Sequence, residues 1–293
     1  MRIVSLLPSA TEIVYALGLG DQLVARSHEC DYPPDALKKP IITRSLIPSD
    51  LPSREIDRRV SETLMTHATL YTLDQELLQS LKPDLILTQS LCSVCAVSQN
   101  AVLEAVERLR PRPRVLNLEP TTLKEVLQTF QQVAEAAGVP QRGEQLVAHC
   151  LERIEQVSAH CADRPPLRVS FLEWLDPPFA CGHWTPELVA LAGGIDGHGQ
   201  AGMPSRRLKW HEVLAWQPEA IVIACCGFTV ERTLQDLPLL EAMPGWCELP
   251  AVRREAVFVA DGNAYFSRPG PRLVDSLEWL AAKIDALGVQ VHF

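Results

Sequence analysis

A chain of 293 residues, 47% hydrophobic and 22% charged, has ample material for one large globular domain or two modest ones. Its net charge of -9 argues against nucleic acid as a main partner, and its longest wholly apolar run, residues 220–226, is far too short to cross a bilayer. The alternating Arg108, Arg110, Arg112 and Arg114 read as a solvated turn. At the amino terminus, Met1-Arg2-Ile3-Val4-Ser5-Leu6-Leu7-Pro8 carries one positive charge and an apolar run broken by Ser5 and Pro8, which is no signal-peptide pattern. A cytoplasmic location is therefore expected, or a periplasmic one if a leader has been removed. Nine cysteines in a reducing compartment are expected as ligands, redox groups or core, not as disulfides.

Residues 1–6 start as a strand, and a helix is expected from Pro8, with Ser9 as its cap and Glu12 returning the capping-box bond. Gly18 or Gly20 ends it. Leu23-Val24-Ala25 gives a second strand, followed by a proline-bounded loop, residues 27–34, that gathers His28, Glu29, Cys30 and Tyr32. Ile41-Ile42-Thr43 reads as a strand, residues 74–81 as a helix, and Pro83-Asp84-Leu85-Ile86-Leu87-Thr88 as a buried strand. That strand ends in Gln89 and a Cys-x-x-Cys pair, Cys92 and Cys95, with a helix from Asn100 onward. A strand over 114–118 leads to a helix from Thr121 to about Ala137, which Gly138-Val139-Pro140 breaks. A longer helix follows to about Cys161, with Leu146, Val147, Cys150, Leu151, Ile154 and Val157 on one face.

The strand–helix alternation then begins again. Strands are expected at 167–172, 220–224 and 256–259, and helices at 186–192, 210–215 and about 271–287. The scheme gives an α/β fold of two lobes joined by one long helix: an amino-terminal lobe over 1–120, a bridging helical segment over 121–165, and a carboxyl-terminal lobe over 166–293.

Four strand-end loops each offer a pair of soft ligands: His28 with Cys30, Cys92 with Cys95, Cys181 with His183, and Cys225 with Cys226. Thiolate with imidazole suits zinc, an iron-sulfur cluster or copper(I). A two-residue gap cannot complete a tetrahedral site, so His28 and Cys30 are the expected partners of Cys92 and Cys95. Adjacent Cys225 and Cys226 point opposite ways if they continue a strand. There is no nucleophile elbow, no phosphate-cradling loop and no His-Glu-x-x-His.

Ser5-Leu6-Leu7-Pro8-Ser9-Ala10-Thr11-Glu12, Asp31-Tyr32-Pro33-Pro34, Leu81-Lys82-Pro83-Asp84-Leu85, Pro177-Pro178-Phe179, Gly193-Gly194 and Pro218-Glu219-Ala220-Ile221-Val222-Ile223 carry a resemblance over nearly the full length. The chain resembles the cobalamin- and siderophore-binding group of substrate-binding proteins of ABC transporters. The resemblance implies two α/β lobes on a rigid helix, with a ligand clamped between them.

It also implies contacts from His28, Glu29, Tyr32, Arg44 and Gln89 on the first lobe, and from His183, Trp184, Phe228, Tyr265 and Arg268 on the second; Trp174, as an aromatic wall for a flat ligand, and Glu173, as a hydrogen-bonding carboxylate, are expected beside them from their own chemistry. The implied ligand is a corrinoid such as cobalamin, or a related metal chelate, held without catalysis. In exported members one glutamate on each lobe docks onto an ABC permease; Glu76 matches the first, and Glu212 stands one place from the second, where His211 aligns. The Cys/His-rich loops leave a second expectation, a metal- or cluster-dependent enzyme or redox protein in the same fold.

Overall fold

The computed structural model describes residues 1–48, 50–66, 70–89 and 99–288. The described chain divides into two compact units. The first comprises residues 1–51, 55–120 and 124–149; the second comprises 52–54, 121–123 and 150–293.

In the first unit, β1 (Ile3–Ser5) runs directly into α1 (Pro8–Ala16). Pro8 occupies the first helical turn, where its fixed φ suits the helix and its missing N–H costs nothing. The helix thus starts one residue earlier than the expected Ser9 cap. Leu7 stands at the cap position without a side-chain bond, and Ser9 and Glu12 are both buried. Gly18 follows the helix at φ +70°, a backbone state that glycine alone adopts without penalty. Next come β2 (Leu23–Arg26), β3 (Thr43–Ser45), α2 (Ser53–Thr66), β4 (Tyr71–Leu73), α3 (Gln75–Leu81), β5 (Leu85–Thr88), α4 (Gln99–Glu107), β6 (Arg114–Asn117) and α5 (Leu123–Ala136).

The main sheet has the parallel order β2-β1-β5-β6, and β3 pairs antiparallel with β4. Its central strands are buried on both faces: Ile3, Val4, Ile86 and Leu87 are wholly inaccessible, as a helix-covered parallel sheet requires. Val4, Ile86, Leu78, Val102 and Val106 share one apolar core. Asp74, expected as the first residue of the helix, instead caps α3 by accepting the Leu77 N–H at 2.9 Å.

The long helix α6 (Pro140–Cys161, 22 residues) contributes to both units. Within the first, Arg142 donates to the Leu17 carbonyl at 3.0 Å. Within the second, Arg153 forks onto Glu278 and Asp275.

The second unit adds β7 (Leu167–Leu175), β8 (Pro178–Ala180), α7 (Thr185–Leu191), β9 (Gly194–Asp196), β10 (Arg206–Arg207), α8 (Trp210–Trp216), β11 (Ala220–Ile223), α9 (Val230–Glu241), α10 (Pro250–Arg253), β12 (Val257–Val259) and α11 (Leu273–Gly288). The sheet order is β10-β8-β7-β11-β12, with β9 also on β7. β11, β12 and β9 run parallel to their neighbours, whereas β8 and β10 return antiparallel at the edge. Leu172 pairs with Ile223 where β11 ends, so residues 173–175 overrun the parallel sheet and pair with β8 alone. Among the described residues no helix is long and apolar enough to cross a membrane.

Candidate functional site

In the first unit, β2 ends at Arg26 and the chain turns tightly: the Cys30 N–H bonds the Ser27 carbonyl at 3.2 Å. The turn is held by hydroxyls. Thr43 on β3 accepts the His28 N–H at 3.0 Å, lies 2.7 Å from His28 Nδ1 and donates to Ser27 Oγ at 3.2 Å. The His28 ring lies 5.3 Å from that of Tyr71 on β4, and the Tyr71 hydroxyl donates to Glu29 at 3.2 Å. Desolvation, and secondarily the nearby Arg26 cation, hold His28 below the usual imidazole range, favouring its neutral form.

Other expected residues of this unit fall in different environments. Tyr32 and Arg44 are exposed, and Gln89 is buried. Arg44 lines a groove of about 300 Å³ beside Asp74 and Thr72. Cys30 is wholly inaccessible and accepts the Thr11 hydroxyl at 3.1 Å. Cys92 and Cys95 lie outside the described residues. Among the described residues no group of three or more His, Cys, Asp or Glu side chains is placed to hold a metal ion.

The second unit gathers its candidates where β7 overruns the sheet. Glu173 accepts the Gly182 N–H at 3.4 Å and the Ser205 hydroxyl, so one carboxylate ties two turns together. Desolvation pushes that carboxyl up to about 7, against the lowering effect of the Ser205 and Gly182 hydrogen bonds. Gly182 admits no side chain: a Cβ there would overlap the Ser205 backbone nitrogen and stand 2.7 Å from the Met203 carbonyl.

His183 follows at φ +52°, with its N–H on the Met203 carbonyl at 2.6 Å and its carbonyl accepting Gly202 N–H at 2.9 Å. Its half-exposed ring lies 5.6 Å from that of Trp184, tilted 31°. Burial lowers the His183 pKa. Trp184 is itself buried and donates its indole N–H to the Phe266 carbonyl at 2.7 Å. Phe266 is also left-handed, at φ +66°.

The soft-ligand pairs separate on inspection. Cys181 is inaccessible beside Asp196 and Glu173, and burial drives its thiol well above the ordinary range. Cys225 is likewise buried and pushed up to about 12, whereas Cys226 is exposed; β11 ends at Ile223, so the turn beyond it and not a continuing strand separates the two. A second cluster joins Trp174 to Phe228 at 4.7 Å, with the Arg232 guanidinium 4.2 Å over the Phe228 ring. Arg232 is set by Asp236 at 3.0 Å, which also takes the Ser53 hydroxyl. Arg268 is buried and bonds Asn263, and Tyr265 is half-exposed beside it in the chain.

Of the two docking carboxylates, Glu76 is exposed in the first turn of α3. Glu212 is occupied: it takes Arg206 at 2.8 Å and the Lys209 N–H at 2.9 Å, which hold it down at about 2. Ser205, Asp196 and Arg232 escape the sequence reading. Only Asp196 had a usable signal, since Asp before Gly-His-Gly fits a side chain that accepts the backbone N–H groups two and three residues on.

A two-unit α/β chain with preorganised strand-end turns is built to hold a ligand. The chain belongs to the periplasmic binding protein family, whose pattern it matches over residues 3–264. It is similar to the vitamin B12-binding protein of Vibrio cholerae serotype O1, with 28% identity over 280 residues, 94% of this chain and 86% of that one. Among solved structures it is similar to the periplasmic vitamin B12 binding protein BtuF of Vibrio cholerae, with TM-score 0.69 and 24% identity over 99% and 98% of the two chains. It is similar also to the periplasmic heme-binding protein RhuT from Roseiflexus sp. RS-1, with TM-score 0.72 and 24% identity over 98% of each. The cytoplasmic location expected from the amino terminus gains no support from a family described as periplasmic.

Proposed function

We propose that this chain binds a corrinoid, or a closely related metal-tetrapyrrole, without catalysing a reaction on it. The observation that carries the reading is that the second unit sets two half-exposed rings, Trp174 and His183, on buried aromatic partners, Phe228 and Trp184. Rigid aromatic faces bury a flat macrocycle at low entropic cost. The vitamin B12-binding and heme-binding names of the relatives agree in ligand chemistry, a metal at the centre of a tetrapyrrole. His28, Glu29, Tyr32 and Arg44 are the first unit's candidates for polar contacts to the ligand's periphery. Docking of exposed Glu76 on an ABC permease belongs to the same proposal. The metal- or cluster-dependent enzyme has no observation in its favour among the described residues.

The test is titration of the full chain with hydroxocobalamin, cobinamide and hemin, following tryptophan fluorescence. Saturable quenching at one ligand per chain is expected for at least one of them. No quenching by any of the three removes the reading.

A further inference from the structure

Arg26 closes β2 and is only 5% exposed, a place where a guanidinium is rarely found without a partner. Strand pairing accounts for the burial. Val4 pairs with Ala25, and both join the apolar core on one face of the sheet. Ser5 pairs with Arg26, so both side chains fall on the opposite face. Ser5 is wholly buried and gives its hydroxyl to the Leu7 carbonyl at 2.9 Å.

A buried cation ordinarily faces a carboxylate. Arg26 makes no ion pair among the described residues, and the segments outside them contain no Asp or Glu. One terminal nitrogen donates to the Ser27 carbonyl at 3.1 Å, while Nε is buried with no acceptor among the described residues. Tyr15 on α1 adds a second unpaired donor: its hydroxyl is buried and bonds nothing among those residues. The Tyr15 ring is wedged in place, since a Cβ at Gly20 would overlap it. Arg26, Asp21, Asp35 and Lys38 all lie within electrostatic reach of the hydroxyl. Asp21 and Asp35 are exposed, and Asp35 is taken by Lys38 at 2.6 Å. Neither carboxylate neutralises the guanidinium.

We infer that the buried Arg26 guanidinium holds a small inorganic anion of the halide class, with the Tyr15 hydroxyl as a further donor. A halide accepts from N–H and O–H donors alike, and its single charge balances a single guanidinium. Burial selects the size: with Arg26 only 5% exposed and the Tyr15 hydroxyl inaccessible, an anion of one atom fits the setting, and a carboxylate or phosphate carried on a larger molecule does not. The bound anion removes the cost of an unpaired buried charge at the strand end from which the His28 turn starts. The site is thus a fastening of the first unit, and it stands or falls independently of the functional reading above.

The experiment follows thermal melting of the full chain, with millimolar sodium chloride or bromide replacing sodium gluconate at fixed ionic strength and neutral pH. The melting temperature of the parent should rise saturably with either halide, by about 3 °C or more at saturation. Arg26→Gln should abolish the rise and, in gluconate alone, melt no lower than the parent, which there keeps an unpaired buried charge. Tyr15→Phe should retain the rise with its half-saturation moved to at least threefold higher halide. Crystals of the parent soaked in bromide should show an anomalous peak within hydrogen-bond distance of the Arg26 guanidinium. Equal melting of the parent in gluconate and halide overturns the site, and this test stands even if Arg26→Gln does not fold. An undiminished rise in folded Arg26→Gln, or a water molecule and no bromide at the guanidinium, overturns it as well.

Discussion

Each unit places a histidine just beyond a strand, and the two are held by opposite means. The first unit fixes His28 through side chains, above all the Thr43 hydroxyl, which meets its N–H, its ring and Ser27. The second fixes His183 through backbone: Met203 and Gly202 hold its peptide groups, and its ring is bonded to nothing among the described residues. A turn held by side chains keeps its shape only while those side chains remain. A turn held by backbone keeps its shape whatever stands at the histidine position, and so can present a reactive ring in a strained conformation. Stability should therefore depend on the neighbours of His183 far more than on His183 itself, while in the first unit it depends on the hydroxyl.

The most severe way to break the backbone clamp is Gly182→Ala. The added methyl overlaps the Ser205 backbone nitrogen and has no flexible side chain to push aside. A loss of about 3 kcal/mol or more is expected from urea denaturation, at the upper end of overpacking effects. A loss below ~1 kcal/mol would mean that the two turns are not locked together.

Next in size is the carboxylate beneath the clamp. Glu173 sits near 7 in the folded chain, against an ordinary value of 4.5. Its neutral form is thus favoured by folding, and the resulting stability is complete below pH 4.5 and lost as pH rises to about 7. A shift of that size corresponds to about 3 kcal/mol at most, and since the side chain keeps some solvent contact, about 1–2 kcal/mol is expected. Across pH 5 to 8 the melting temperature of the parent should fall relative to that of Glu173→Gln as pH rises, because glutamine carries no charge to desolvate. A difference between them that does not change with pH would place the titration elsewhere.

Thr43→Val applies the comparison to the first unit. It leaves the half-buried His28 N–H without an acceptor, at a cost of about 1–2 kcal/mol, and Thr43→Ser should recover most of it. A loss in Thr43→Ser as large as that in Thr43→Val would show that the buried methyl, which only serine lacks, contributes as much as the hydroxyl, and would end the account of the turn as held by the hydroxyl above all.

The framework was legible in the sequence because its signals are local. Apolar runs such as residues 85–88 and the break at 138–140 mark β5 and the start of α6 without knowledge of anything distant. Three helices were not read, the four-residue α10 among them. α2 is dominated by charged residues that pair along its own surface, as Arg58 does with Glu55 and Glu62, and α9 contains Pro238, which argues against a helix. The three-residue β8 and two-residue β10 carry too few positions to show a period.

The site was legible as chemistry and not as geometry. Cys181 and His183 read as an equivalent pair of soft ligands, yet one is buried as a neutral thiol and the other presents a ring. Burial decides between them, and the Asp196 and Glu173 carboxylates, supplied by β9 and β7, push the Cys181 thiol in the same direction. Ser205 reaches Glu173 across 32 residues of sequence, and nothing about an isolated serine announces such a bond.

The smallest effect is the most discriminating for the first unit, because it separates a bond from a ring. Tyr71 packs its ring in the core beside His28 while its hydroxyl reaches Glu29, whose side chain is 39% exposed. Tyr71→Phe keeps the ring contact and removes the 3.2 Å bond to an acceptor that water can also serve. A hydrogen bond in that setting contributes less than about 1 kcal/mol. The matching cycle with Glu29→Gln should give a coupling energy of the same small size. If the hydroxyl only trims the loop, Tyr71→Phe should leave the His28 titration, followed by NMR, where it was, while Thr43→Val moves it. A large shift of His28 in Tyr71→Phe would make Glu29 and Tyr71 part of the clamp on that ring, and the first unit would then be held by a network and not by one threonine.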